Sequence, residues 1–150
     1  MMTIELIEKY LMKVYSKDTC YPKDSDRWNL NNPTLGHCAI VSLILNDYLG
    51  GQIYKTKVGE VSHYFNYISD EIVDLTASQF NGKIDYSNKV KKDRDEIIKD
   101  SNTLFRYNLL KTRFELLLID DEIHNCNLCS NMIEKFPNSK TVSIGKKNDS

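Results

Sequence analysis

The chain has 150 residues, the size of one ordinary domain, and can bury roughly 70% of its unfolded surface without a disulfide framework. Twenty basic residues against twenty-one acidic ones leave a net charge of -1, which excludes the strongly basic footprint of a nucleic-acid binder. No run approaches the roughly 20 apolar residues that span a bilayer, and the acidic Glu5 and Glu8 near the N-terminus do not suit a signal peptide. The expectation is therefore a cytoplasmic protein with reduced thiols and neither a membrane nor a nucleic-acid partner.

Ile4, Ile7, Tyr10, Leu11 and Val14 recur at three- and four-residue spacing and predict an amphipathic helix over 3–16. A loop rich in Asp, Asn and Pro follows to about Gly36, with the only tryptophan, Trp28, and a turn at Asn31 to Pro33. Cys38 to Leu49 is apolar on nearly every side and is closed by Gly50-Gly51, the pattern of a buried helix that begins at or just before Cys38. Residues 52–58 and 62–68 read as strands broken by Gly59-Glu60. Glu71 to Leu75 reads as a third strand, in a hairpin with the second. Lys89-Val90-Lys91-Lys92 is answered by Asp93 and Asp95 and reads as a solvated turn or helix start. After a short helix within 93–100, Ser101 is placed to cap a long helix to about Ile119, with Leu104, Tyr107, Leu110, Phe114 and Leu117 on its apolar stripe. This divides the chain into one α+β domain over 1–119 and a C-terminal extension over 120–150, polar at its end and expected to be partly mobile.

Three residues suggest chemistry. A thiol acts as a nucleophile in its thiolate form, which a helix N-terminus and a neighbouring imidazole both favour. Cys38 stands at the predicted helix start, where its own backbone N–H can also serve an oxyanion. His63 lies near the beginning of one strand of the hairpin and Asp74 near the end of the other. A two-residue turn at 68–69 sets them directly opposite, and a turn at 69–70 sets them diagonal; in both cases imidazole and carboxylate come within reach. Taken singly, each has a plainer account: a small core cysteine, a satisfied strand histidine, a turn-capping aspartate. Together, in the order Cys, His, Asp on helix, strand and strand, they point to a catalytic triad.

That order and placement resemble the papain-like superfamily, in particular its transglutaminase-like and arylamine-acetyltransferase-like branches. A closer resemblance is carried by Gly36-His37-Cys38-Ala39-Ile40-Val41, Asn46-Asp47-Tyr48-Leu49-Gly50-Gly51-Gln52-Ile53, Ser62-His63-Tyr64-Phe65-Asn66 and Val73-Asp74-Leu75-Thr76-Ala77-Ser78-Gln79-Phe80. With Trp28 upstream and Thr103, Arg106 and Tyr107 downstream, these stretches are similar to the YunG-like family of bacterial proteins over about residues 25–115. Where His37 stands, that family usually has glutamine. The superfamily resemblance implies a papain-like (transglutaminase-like) α+β domain with the nucleophile helix packed on an antiparallel sheet. It further implies a cysteine hydrolase or acyltransferase working through a thioester on an acyl or peptide substrate, with no cofactor. Asn32, six residues before Cys38, sits where papain-type enzymes carry an oxyanion-hole glutamine, although an Asn-Pro pair is more often a turn. Trp28 is a candidate for the substrate cleft or for covering the core edge. His37 is a candidate second base, or a residue turned away from the site.

Near the C-terminus, His124, Cys126 and Cys129 form one half of a zinc knuckle. Structural zinc takes four ligands, so Cys20, a carboxylate or a partner molecule would have to supply the last. Packing or surface cysteines and a redox pair are the other accounts of this Cys-x-x-Cys. The alternative function, from a different class, is a papain-like binding module without turnover, zinc-stabilised at that motif.

Overall fold

The computed structural model describes the backbone of residues 1–133 and the side chains of residues 1–126. Helix α1, Ile4–Val14, starts where the Thr3 hydroxyl accepts from the Leu6 N–H at 3.1 Å, and it buries Ile7, Tyr10 and Leu11. Two short 3-10 turns, Lys17–Thr19 and Pro22–Arg27, carry the chain towards α2, Cys38–Leu49. Helix α2 buries Ile40 to Leu45 without a break, as its all-round apolar sequence requires. Gly50, at φ +71°, ends it in a conformation that costs glycine little.

Strands β1 (Gln52–Val58), β2 (Val61–Ile68), β3 (Glu71–Val73) and β4 (Val90–Lys92) form one antiparallel sheet in the order β3-β2-β1-β4. Helix α2 lies against it, with the buried Asn66 side chain donating to the Ser42 carbonyl at 3.0 Å. The β2–β3 turn is made by Ser69 and Asp70, both at positive φ (51° and 64°), the paired left-handed conformation of a tight hairpin. The molecule is thus α+β, as expected.

Strand β4 departs from the expected solvated turn. Val90, Lys91 and Lys92 pair with β1 through Ile53↔Lys92, Tyr54↔Lys91 and Lys55↔Val90. Lysines on a short edge strand discourage pairing with a further chain, and that composition disguises the strand in the sequence.

Helix α3, Arg94–Ile97, is a single turn. Helix α4 runs Ser101–Ile133, well past the expected end near Ile119. No glycine or proline lies between Ile119 and Ile133, so nothing stops it; the acidic Asp120-Asp121-Glu122 changes the character of the surface, not the backbone. Its cap is Asp100 rather than Ser101, whose expected role fails by one residue: the Asp100 carboxylate accepts from the Thr103 N–H and hydroxyl, both at 2.9 Å. Tyr107, Leu110 and Phe114 are buried as expected, but Leu104 is exposed and Thr103 and Arg106 are buried. The unit that contains the sheet is Met1–Phe114, and the chain from Glu115 onward belongs to another. The rest of the expected extension, residues 134–150, lies outside the described residues.

Candidate active site

Cys38 is the first residue of α2, and the earliest intrahelical bond runs from the Val41 N–H to the His37 carbonyl at 3.0 Å. The N–H groups of Cys38, Ala39 and Ile40 therefore have no acceptor within the helix and concentrate positive potential at the thiol. Cys38 and Ala39 line a cleft of about 620 Å³, together with Tyr64 and Gln79.

The hairpin register is Ile68↔Glu71, Tyr67↔Ile72 and Asn66↔Val73. Continued by one position, it carries Asp74 opposite Phe65 and diagonal to His63, the outcome of a turn at 69–70. The side chains meet: His63 Nε2 and Asp74 Oδ2 are 2.7 Å apart, and both are almost wholly buried. The pairing of β3 with β2 stops at Asn66↔Val73, so β3 leaves the edge of β2 uncovered at His63.

Burial opposes charging of the His63 ring, but the Asp74 hydrogen bond and the Cys38 thiol outweigh it and raise the pKa to about 9. The ring is then an imidazolium at neutral pH. Its Nδ1 is fully buried and makes no hydrogen bond of ordinary geometry among the described residues. The Cys38 thiol favours the charged ring through its side-chain approach and through its charge. Phe80 packs edge-on against the ring at 4.9 Å between centroids, which keeps water from the imidazole.

Asp74 is held from several directions. The Tyr86 hydroxyl donates to the same Oδ2 at 2.7 Å, while the Thr76 N–H and hydroxyl reach Oδ1 at 3.3 and 3.4 Å. Burial and Asp74 both push the Tyr86 phenol above its ordinary value, so it remains a donor. Gln79 ties the two halves of the site: its Oε1 accepts from the Gly36 N–H at 3.3 Å and its Nε2 donates to the Thr76 carbonyl at 3.0 Å. From α4, the buried Arg106 guanidinium donates to the carbonyls of Thr19 and Gly36 at 3.2 and 3.4 Å. Gly36 itself, at φ +75°, could carry no side chain: a Cβ there would stand 2.5 Å from Cys20 Sγ and 2.8 Å from the Tyr21 nitrogen.

Tyr86 and Arg106 carry no role in the sequence-based site. Tyr86 falls in an irregular segment with no periodicity, and arginine on a helix normally reads as surface.

Two candidates are placed elsewhere. Trp28 does not line the cleft; its indole N–H is spent on the Pro33 carbonyl at 2.9 Å, which tightens its own loop. Asn32 is likewise outside the cleft lining and sits in a turn, with its N–H on Asn29 and its carbonyl accepting from Leu35. The side-chain amide that lines the cleft with Cys38 is Gln79. His37 is turned away and fully buried, with Nε2 2.7 Å from the Thr19 hydroxyl and Nδ1 2.9 Å from the Leu35 carbonyl. Burial lowers its pKa to about 4, so it is neutral and no base for Cys38. Cys20 is buried and its thiol is pushed up to about 11, chiefly by burial.

His124 and Cys126 are exposed on α4, and the side chain of Cys129 lies outside the described residues. Among the described residues no group of three His, Cys, Asp or Glu side chains is placed to hold a metal ion. No helix among them is long and apolar enough to cross a membrane.

These features define an α+β domain in which a buried histidine, bonded to a carboxylate, is influenced by a thiol on the first residue of a helix. The chain belongs to the YunG protein family, which matches residues 3–118. It is similar to a Bacillus subtilis (strain 168) protein described as "Uncharacterized protein YunG", at 32% identity over 91 residues, 61% of this chain and 78% of that one. No solved structure matches it.

Proposed function

We propose that this domain is a papain-like, transglutaminase-like cysteine hydrolase or acyltransferase with Cys38 as nucleophile, His63 as acid and base, and Asp74 as the group that orients the imidazole. The observation that carries this reading is the buried His63 ring, bonded to Asp74 through Nε2 and raised to about 9 under the joint influence of Asp74 and Cys38. An imidazolium beside the thiol stabilises the thiolate and already holds the proton that a leaving group needs.

The Cys38 thiolate attacks the acyl carbon, forming a C–S bond, while the N–H groups at the start of α2 receive the charge that develops on oxygen. The C–S bond persists as the bond to the leaving group breaks, and His63 delivers its proton to that group. Water or an amine, deprotonated by the now neutral His63, then cleaves the thioester and returns the thiol and imidazole to their starting state.

An acyl trap tests this directly. With p-nitrophenyl acetate as probe, p-nitrophenolate is expected in a burst equal to the enzyme present, with acetyl recovered on the Cys38 peptide by mass spectrometry. Cys38→Ser abolishes both. Iodoacetamide at pH 6.5 should label Cys38 ahead of the exposed Cys126. No acetyl on Cys38, together with alkylation no faster than at Cys126, overturns the nucleophile. Fast alkylation without a thioester would leave a binding cleft that does not turn over.

A further inference from the structure

The cleft at Cys38 is not electrically neutral. Four carboxylates line it, Asp24, Glu60, Glu96 and Asp100, against two cations, Lys23 and Arg106. Arg106 is buried, with four of its five N–H donors on Thr19, Gly36, Asn102 and Thr103, so it contributes charge near the thiol and at most one donor to a ligand. Lys23 is a single exposed ammonium.

The carboxylates differ in how far they are committed. Asp24 pairs with Arg27 and Asp100 caps α4. Glu96 is half-exposed with only a 3.3 Å pair to Lys92, and exposed Glu60, at the β1–β2 turn, makes no hydrogen bond or ion pair within the described residues. Tyr64, in the same lining, is raised by burial first and then by the charges of Cys38 and Glu96. The second sign of a ligand at this place is His63: a ring with no exposed surface whose Nδ1 is left unpartnered beside the cleft-lining thiol. Positive charge therefore collects at the sulfur, from the imidazolium, Arg106 and the start of α2, and negative charge collects on the walls.

From this arrangement we infer that the cleft selects acyl compounds that carry a cationic group, an amine or guanidine, set away from the reacting carbonyl and facing Glu60 and Glu96. The inference rests on the thiol chemistry proposed above. An anionic acyl compound suits the sulfur end but is repelled by the walls, whereas a cationic one places its carbonyl oxygen at the helix start and its charge between the glutamates. Low-dielectric walls focus such a field, and added salt screens it.

The test uses the whole chain and three thiol reagents that share one leaving group. These are methyl methanethiosulfonate, its trimethylammonioethyl analogue and its sulfonatoethyl analogue. In each, the Cys38 thiolate attacks the sulfenyl sulfur, forms a mixed disulfide and releases methanesulfinate. Rates at the Cys38 peptide are followed by mass spectrometry and normalised to the rates of the same reagents with 2-mercaptoethanol. The cationic reagent is expected to react at least about tenfold faster than the anionic one, a ratio that shrinks severalfold at about 1 M salt, where the screening length falls to about 3 Å. The double variant Glu60→Gln/Glu96→Gln should shrink the ratio similarly, with the cationic reagent slowed and the anionic one quickened relative to the neutral reagent. Equal rates, or a faster anionic reagent, with Cys38 still labelled by the neutral reagent, overturn charge selection and spare the nucleophile. Failure of all three reagents to label Cys38 overturns both.

Discussion

His37 and His63 are equally buried, with no exposed surface on either, yet the protein keeps one neutral and charges the other. Burial penalises the imidazolium in both. At His37 the ring meets only a carbonyl and a hydroxyl and packs on Tyr15 at 4.7 Å; desolvation dominates and the pKa falls to about 4. At His63 a carboxylate and a thiol reverse the outcome, and it rises to about 9. Depth therefore does not decide whether a buried histidine is structural or chemical. The charge of its partners does.

The largest effect that can break this comparison is removal of the partners' charge. Asp74→Asn keeps the shape, and its amide can still bond Thr76, Tyr86 and the imidazole, but only the thiol remains to favour the charged ring. Alkylation of Cys38 by iodoacetamide at pH 6.5 should slow by about tenfold and in His63→Ala by about a hundredfold, while above about pH 9, where the ring is neutral in both proteins, Asp74→Asn lowers stability by no more than about 1 kcal/mol. Unchanged Cys38 reactivity in Asp74→Asn would leave at most a Cys–His pair.

Next in size is the pH dependence of stability. The folded pKa of His63, about 9, lies above its ordinary value of 6.5, so its contribution is full below pH 6.5 and fades as pH rises through 9. For His37 the folded value, about 4, lies below 6.5, so its contribution is full above pH 6.5 and is lost as pH falls through 4. Together the two place maximal stability near pH 6.5, each limb worth at most on the order of 3 kcal/mol. Chemical denaturation across pH should show His63→Gln flattening the alkaline limb and His37→Gln flattening the acid limb. Glutamine can still donate to Leu35 and accept from Thr19, so His37→Gln should leave Cys38 reactivity intact. An acid limb unaffected by that change would mean that His37 does not titrate as its burial requires.

The smallest effect concerns the turn that sets His63 against Asp74. Asp70 adopts φ 64°, which a non-glycine residue holds at some cost. Asp70→Gly should raise stability slightly, by about a few tenths of a kcal/mol, without changing Cys38 alkylation, because the register is already fixed by the β2–β3 pairs.

Much of the site was legible because it is local. The helix start at Cys38 follows from one apolar run ended by glycine, and the hairpin follows from alternation around Ser69-Asp70. The diagonal approach of His63 and Asp74 was one of only two registers open to it. What stayed hidden depends on distant chain. Tyr86 acts only because an irregular segment returns over Phe65, with rings 4.8 Å apart. Arg106 looks like helix surface until the loops of Thr19 and Gly36 supply its acceptors. Asn32 draws attention by its distance along the chain from Cys38 and Trp28 as the only tryptophan, and in space the turn between Asn29 and Leu35 directs both to other partners. Strand β4 carries lysines that resemble a solvated turn, and the end of α4 has no breaker to mark it.

Arg106 also gives the site a schedule. Its bonds to the Thr19 and Gly36 carbonyls close separations of 87 and 70 residues, the slowest kind of contact for a chain to find. As the protein leaves the ribosome at about 5–20 residues per second, the thiol, imidazole and carboxylate emerge many residues before the guanidinium that clamps the segment leading into Cys38. A nascent chain thus holds every reacting group while the loop before the nucleophile is still slack. The segment leading into Cys38 gains the Arg106 clamp only when α4 docks.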